Sequence, residues 1–182
     1  LHIVRFGTSG SLQQHIGVDE FVVSTHGIGF DNLLHFYERE KNLKEDGLLE
    51  AFIDQLKLRQ TPLLPYVATG SAELLSKFPE NTFHRGITVT CSGFDGPQGR
   101  VLRLQPSFPK LIDELPFFEH MGNRITNFEM ETSGIYGLGN LLGHHCLSVN
   151  AIVANRVNHT FSKDSMKAVE QMIQSGLEVI CG

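Results

Sequence analysis

The chain is expected to fold as an α/β protein, because runs of β-branched and aromatic residues alternate with segments of helical periodicity. Asp19 to Thr25, His84 to Cys91 and Cys146 to Ala154 read as strands. Glu45 to Leu58 and Asp164 to Ile180 read as amphipathic helices. With 182 residues, 41% hydrophobic and 19% charged, residues 1–182 suit one domain that buries its own core.

Leu1 to Phe6 reads as a buried-type strand closing into a turn, Gly7-Thr8-Ser9-Gly10. Because the chain opens directly on this strand, the sheet is expected to begin upstream. A lone turn of this kind is most simply a connection. Its glycines also let backbone N–H groups approach an oxyanion. Arg5 favours the second reading, since an arginine in a buried strand is costly unless it meets an anion.

Gly27 to Phe36 is loop-like. The first amphipathic helix carries Leu48, Leu49, Phe52, Ile53 and Leu56 on one face. Glu45 and Asp46 open it, Lys57 and Arg59 close it, and Pro62 and Pro65 stop it. Ser71 to Phe78 reads as a short helix, and Phe108 to His120 as a helix interrupted at Pro116. In the last helix Met166, Val169, Met172, Ile173, Leu177 and Ile180 form a stripe expected to face the core. Gly139 and Gly143 suggest close helix packing.

Two stretches carry chemistry. The strand ending at Cys91 delivers a glycine-rich loop, Ser92 to Arg100, with Phe94, Gln98 and Arg100. Its plain role is connection. An aromatic face, an amide and a guanidinium can also read a planar heterocycle, the amide matching an adjacent carbonyl and N–H. The second stretch is Asn127-Phe128-Glu129-Met130-Glu131-Thr132, a strand end, a turn and a helix with Glu131 and Thr132 in its first turn. The two glutamates can serve as helix-dipole partners. A carboxylate at a strand's C-terminal end also lies where α/β sheets bind small ligands, and can accept from two neighbouring hydroxyls.

Other classes are excluded. The net charge is -5 with no Lys/Arg run, which argues against a nucleic-acid polymer or an acidic membrane as partner. No apolar run nears the roughly 20 residues a bilayer needs, and no signal peptide is visible. Cys91, Cys146 and Cys181 lack metal or redox spacing and are expected to be reduced, buried thiols in a cytoplasmic protein. The nine histidines contain no HExxH, so no metal site is expected.

Three of these segments, and the end of the last strand, carry a family resemblance. Glu129-Met130-Glu131 resembles the ribose motif of the nucleoside phosphorylase family, uridine phosphorylases in particular. Arg5-Phe6-Gly7-Thr8-Ser9-Gly10 resembles that family's Arg-Ile-Gly-Thr-x-Gly phosphate loop. Phe94, Gln98 and Arg100 keep the spacing of its uracil-binding loop, while Asp95, Gly96, Pro97 and Gly99 depart from the commoner Phe-Tyr-Pro-Gly-Gln-Glu-Arg pattern. Asn155-Arg156 is similar to the family's Val-Asn-Arg strand ending near the base.

The resemblance implies a three-layer α/β/α fold with a central mixed sheet, lacking the family's N-terminal portion. It implies phosphorolysis of uridine to uracil and ribose 1-phosphate, with the standing of deoxyuridine left open. Arg5, Gly7 and Thr8 would bind phosphate; Glu129, Met130 and Glu131 the ribose; Phe94, Gln98, Arg100 and Arg156 the base. The catalytic group would be Arg5, Glu131, Gln98 and Arg100. No cofactor is implied beyond inorganic phosphate as co-substrate, and the assembly would be a homo-oligomer, a dimer or a hexamer built from dimers. A purine nucleoside phosphorylase or nucleosidase, or a non-catalytic nucleoside-binding domain, are the alternatives. The purine branches carry an aspartate after the late strand, where Val153-Ala154-Asn155-Arg156 has no acid.

Overall fold

A computed structural model describes residues 1–182. The strands are β1 (His2–Ser11), β2 (Phe21–Gly29), β3 (Tyr66–Thr69), β4 (Phe83–Thr90), β5 (Glu119–His120), β6 (Asn123–Glu129), β7 (His145–Asn155) and β8 (Thr160–Phe161). The α-helices are α1 (Leu43–Gln55), α2 (Ala72–Leu75), α3 (Leu111–Glu114), α4 (Thr132–Leu141) and α5 (Ser165–Cys181). No helix is long and apolar enough to cross a membrane.

The α/β class and the mixed sheet are as expected, with strand order β3-β2-β4-β6-β1-β7-β8 and β5 on β6. The sheet also closes on itself, because Phe21–Val23 of β2 pair antiparallel with Val149–Ala151 of β7. Strand-by-strand patterning gives no sign of this closure. Tyr136 of α4 reinforces it, its hydroxyl donating to Ser24 O (2.7 Å) and accepting from Ser148 N (2.8 Å).

Alternation along β4 separates two environments. Ile87, Val89 and Cys91 join the main apolar cluster with Leu48 and Phe52 of α1. Thr88 and Thr90 point the other way, into a buried polar file. There Ser24 Oγ meets Thr88 Oγ1 (2.6 Å), Thr88 donates to Asn127 Oδ1 (2.8 Å), and Asn127 Nδ2 donates to Ser9 Oγ (2.8 Å). The file ties β2, β4, β6 and β1 together by side chains, on the side that carries the cleft described below.

Several expectations are corrected. Gly7 to Gly10 is no turn: β1 runs on to Ser11, paired with β7 and with a bulge between Ser9 and Gly10. Leu1 and Ile3, read as buried, are exposed. Gly27–Gly29 extends β2, and Leu33–Phe36 forms a 3-10 turn. Glycine reads as loop, but here a Cβ on Gly27 or Gly29 would lie 2.7 Å or 2.6 Å from Ser133 atoms, so the glycines admit the start of α4. Phe108 to His120 is mostly irregular, with only Leu111–Glu114 α-helical before a 3-10 turn at Leu115–Phe117. Helix α1 stops at Gln55, and Arg59 folds back onto Glu50 and Asp54.

The α5 stripe is only partly core. Met172 is buried with Ala168 and Gly176, whereas Met166, Ile173 and Leu177 are exposed. The inward line is small because α5 sits close: a Cβ on Gly176 would lie 2.2 Å from the Phe6 ring. Gly139 behaves likewise against Cys146, at 2.3 Å, but Gly143 only ends α4 in the left-handed region. Cys91 and Cys146 are buried and burial pushes the Cys91 thiol up to about 12, helped by the Glu129 and Asp31 charges; Cys181 is exposed.

Candidate active site

The ends of β1, β6 and β7 and the loop after β4 enclose a cleft of about 690 Å³. Its lining includes every residue singled out above: Arg5, Gly7 and Thr8; Phe94, Gln98 and Arg100; Glu129, Met130 and Glu131; and Arg156. Residues up to 151 positions apart in sequence thus meet at one place through the β1–β6 and β1–β7 pairings.

Arg5 lies along its own strand. A Cβ on Gly7 would sit 2.4 Å from the guanidinium, so the missing side chain two residues on makes the groove in which Arg5 rests. One terminal nitrogen donates to Asn150 Oδ1 (2.8 Å) and Ser148 Oγ (3.2 Å) on the neighbouring β7. The other meets Glu129 Oε2 (3.2 Å) and the Glu131 carboxylate. The anion that a strand arginine requires is therefore supplied within the chain.

The two glutamates differ in surroundings. Glu129 is buried, and both its oxygens are occupied. They accept from Glu131 N (2.9 Å), Thr132 N (3.0 Å) and Thr90 Oγ1 (2.8 Å), besides Arg5. Glu129 thereby satisfies amides at the start of α4, a helix-terminal role. Burial pushes its carboxyl up, opposed by Arg5, by the Thr132 and Glu131 amides and by the Thr90 hydroxyl. The Glu131 side chain is 50% exposed to the cleft, with Arg5 as its ion-pair partner. It stands at the N-cap of α4, one position before the helix in whose first turn it was expected.

The opposite wall is the loop after β4. Arg100 stacks over the Phe94 ring, 3.6 Å from its centroid, and donates to Gln98 Oε1 (3.0 Å) and the Phe94 carbonyl. One aromatic face and part of the amide are thus already engaged. Arg156 Nη2 donates to Gln98 O (2.9 Å), tying the end of β7 to this loop. Burial lowers the Arg100 and Arg156 guanidinium values, and the Arg100 charge lowers Arg156 further.

Sequence reading overlooked the supports. Ser148 and Asn150 fall two apart in an otherwise apolar strand, and that break in patterning was a usable signal. Thr90 likewise sits between apolar neighbours, Val89 and Cys91. Phe161, on the two-residue β8 at the cleft rim, had none.

A closed mixed sheet with its cleft at these strand ends is the architecture of a known enzyme class, and the chain belongs to the phosphorylase superfamily, whose profile matches residues 1–180. It is 34% identical over 186 aligned positions to the uridine phosphorylase of Thermococcus kodakarensis, covering 97% of this chain and 57% of that protein. The chain thus spans less than two thirds of that relative's length. The crystal structure of a Trypanosoma brucei nucleoside phosphorylase showing uridine phosphorylase activity superposes with a TM-score of 0.83 at 26% identity, over 98% of this chain and 62% of that one. A structure from work on two uridine phosphorylases of the oomycete Phytophthora capsici matches with a TM-score of 0.60 at 19% identity, over 99% of this chain and 65% of that one, a likeness of fold alone.

Proposed function

We propose that the protein cleaves uridine with inorganic phosphate, giving uracil and ribose 1-phosphate. The observation that carries this reading is the set of groups around one cleft: an arginine beside an exposed threonine, a half-exposed carboxylate paired with that arginine, and an amide with a guanidinium. These suit an anion, a diol and a uracil ring, which the reaction brings together.

In this scheme Glu131 occupies the place on Arg5 that a phosphate oxygen takes during turnover. Phosphate binding displaces it, and the freed carboxylate accepts from the 2′- and 3′-hydroxyls of the ribose. Phosphate held by Arg5 and Thr8 attacks C1′ while the C1′–N1 bond breaks, and the bonding pair leaves with the base. The sugar passes through an oxocarbenium-like state, stabilised by the Glu131 charge and packed against Met130. The Gln98 amide and the Arg100 guanidinium stabilise the departing uracil anion. Glu129 acts as a positioning residue for Arg5 and the first turn of α4. Phosphate is the co-substrate and no cofactor enters.

Uracil is favoured over purine by Asn155 as well as by the lack of an acid. That side chain is buried and turned away, donating to Gln13 O (2.9 Å) and Ile16 O (2.7 Å) and accepting from Val157 N and Asn158 N. It cannot help a purine leave. We further place the protein in the cytoplasm as a homo-oligomer, a dimer or a hexamer of dimers. Base release from uridine, cytidine and inosine, with and without phosphate, tests the scheme. Phosphate-dependent cleavage of uridine far above the other two is expected, and phosphate-independent release or equal use of inosine overturns it.

A further inference from the structure

The opposite rim, where β1 and β7 begin, carries a cluster outside the cleft. His2 and His145 are register partners on these parallel strands, so their imidazoles leave neighbouring strands at paired positions, with ring centroids 5.0 Å apart. Glu73 comes from α2, which is fastened to the same strand: Ser71 N donates to Cys146 O (2.8 Å), and the Ser71 hydroxyl caps α2 at Leu74 N (3.3 Å). The carboxylate reaches both rings, His2 Nε2 to Oε1 at 3.2 Å and His145 Nδ1 to Oε2 at 3.6 Å. One donor atom from each of the three side chains lies within 4.8 Å of the other two.

We propose that His2, Glu73 and His145 form a binding site for a divalent transition ion of the zinc class. Donors at 2.0–2.1 Å from a tetrahedral ion lie roughly 3.3 Å apart, and two of the three separations here are close to that. The third closes by rotation of side chains that are each about half exposed, at 54%, 52% and 52%. Two imidazoles and one carboxylate favour Zn(II), Co(II) or Ni(II) over Mg(II) or Ca(II), which prefer all-oxygen shells. Water would complete the coordination. None of the three residues lines the cleft, so the effect of the ion is to clamp α2 to the first residues of β1 and β7 and stabilise the folded chain by mass action. The ligands are far apart in sequence, so no spacing motif announces them, and the expectation of no metal site rested on spacing alone.

The test is calorimetric titration of the tag-free, metal-stripped full chain with Zn(II), in a Cys181→Ser background that removes the exposed thiol. Cobalt absorption spectra and melting curves accompany it. One saturable equivalent is expected, with nitrogen- and oxygen-ligated cobalt bands and a rise in Tm. Glu73→Gln and His145→Gln should each weaken uptake at least about tenfold, the scale already lost with an outer-shell partner. His2→Gln gives an independent third measurement, and these exposed side chains are replaceable without core change. Absence of saturable uptake, or uptake unchanged in these variants, overturns the proposal; the cluster would then be histidine–glutamate ion pairing only.

Discussion

The two walls of the cleft are held by different means. Arg5 stands within β1 beside its register partner Ser148 of β7, Glu129 ends β6 and Glu131 caps α4, and the buried Ser148, Asn150 and Thr90 back Arg5 and Glu129. Phe94, Gln98 and Arg100 stand on an irregular loop that holds itself together, Arg100 against Phe94 and against Gln98 Oε1. Only Arg156 visibly ties this loop to the sheet, through one hydrogen bond to Gln98 O. A frame made of sheet register tolerates little displacement, whereas a loop can change its path and keep its side chains. Variants on the first wall should therefore disturb chemistry and folding together, and variants on the second should disturb the binding and departure of the base while leaving the fold intact.

The largest effect is expected from Arg5→Ala. Removing a preorganised donor from a site of developing charge costs about 10²–10³ in rate. Here the loss should fall on phosphate-dependent turnover and leave the preference for uridine over cytidine intact. The change also deprives buried Glu129 of its charged partner, so folding is to be followed separately by circular dichroism. Unaltered phosphate kinetics in a folded variant would remove Arg5 from the anion site.

Glu131→Gln should cost roughly ten- to hundredfold in kcat/KM, the scale of a lost charge-assisted hydrogen bond. A second readout separates exchange from simple loss. If Glu131 occupies the phosphate position on Arg5, the neutral variant should bind inorganic phosphate more tightly than the wild-type protein when no nucleoside is present. Weaker phosphate binding in that variant would break the exchange scheme while leaving a ribose role possible.

What was legible in the sequence divides along the same line. The candidate residues that line the cleft stand out in the sequence because each motif is local: Arg5 with Gly7, Gln98 with Arg100, Glu129 with Glu131. The α/β class was visible because the strands and helices kept their periods. Closure of the sheet was not, since it rests on three residue pairs, Phe21–Val23 with Val149–Ala151, whose patterning says nothing of partner choice. Gly27 and Gly29 misled, because a glycine admitted for close approach resembles a glycine in a loop. The ion pairing of Arg5 with Glu131 leaves no local signal, because 126 positions separate the two residues.

Asn127→Ala measures the frame through a residue that does not itself line the cleft. The side chain is fully buried and serves Ser9, Thr88 and Thr126. Stranding buried polar partners costs about 1–3 kcal/mol, which a shift in the urea midpoint reports. A midpoint within error of wild type would show that the polar file contributes nothing to the rigidity ascribed to this wall.

Phe94→Leu should have the smallest effect, and it examines the loop wall alone. Phe94 is 59% exposed, and its ring lies 3.6 Å beneath the Arg100 guanidinium. A cation–π contact at an exposed site is worth about 0.5–1 kcal/mol, so its loss should loosen Arg100 and raise KM for uridine by roughly two- to fivefold. Leucine keeps an apolar surface, and the Arg100 bond to Gln98 Oε1 does not depend on the ring. For that reason kcat, the phosphate KM and Tm should stay near their original values. A fall in kcat as large as that of Glu131→Gln would show that loop and frame act as one unit, and the distinction between the two walls would fail.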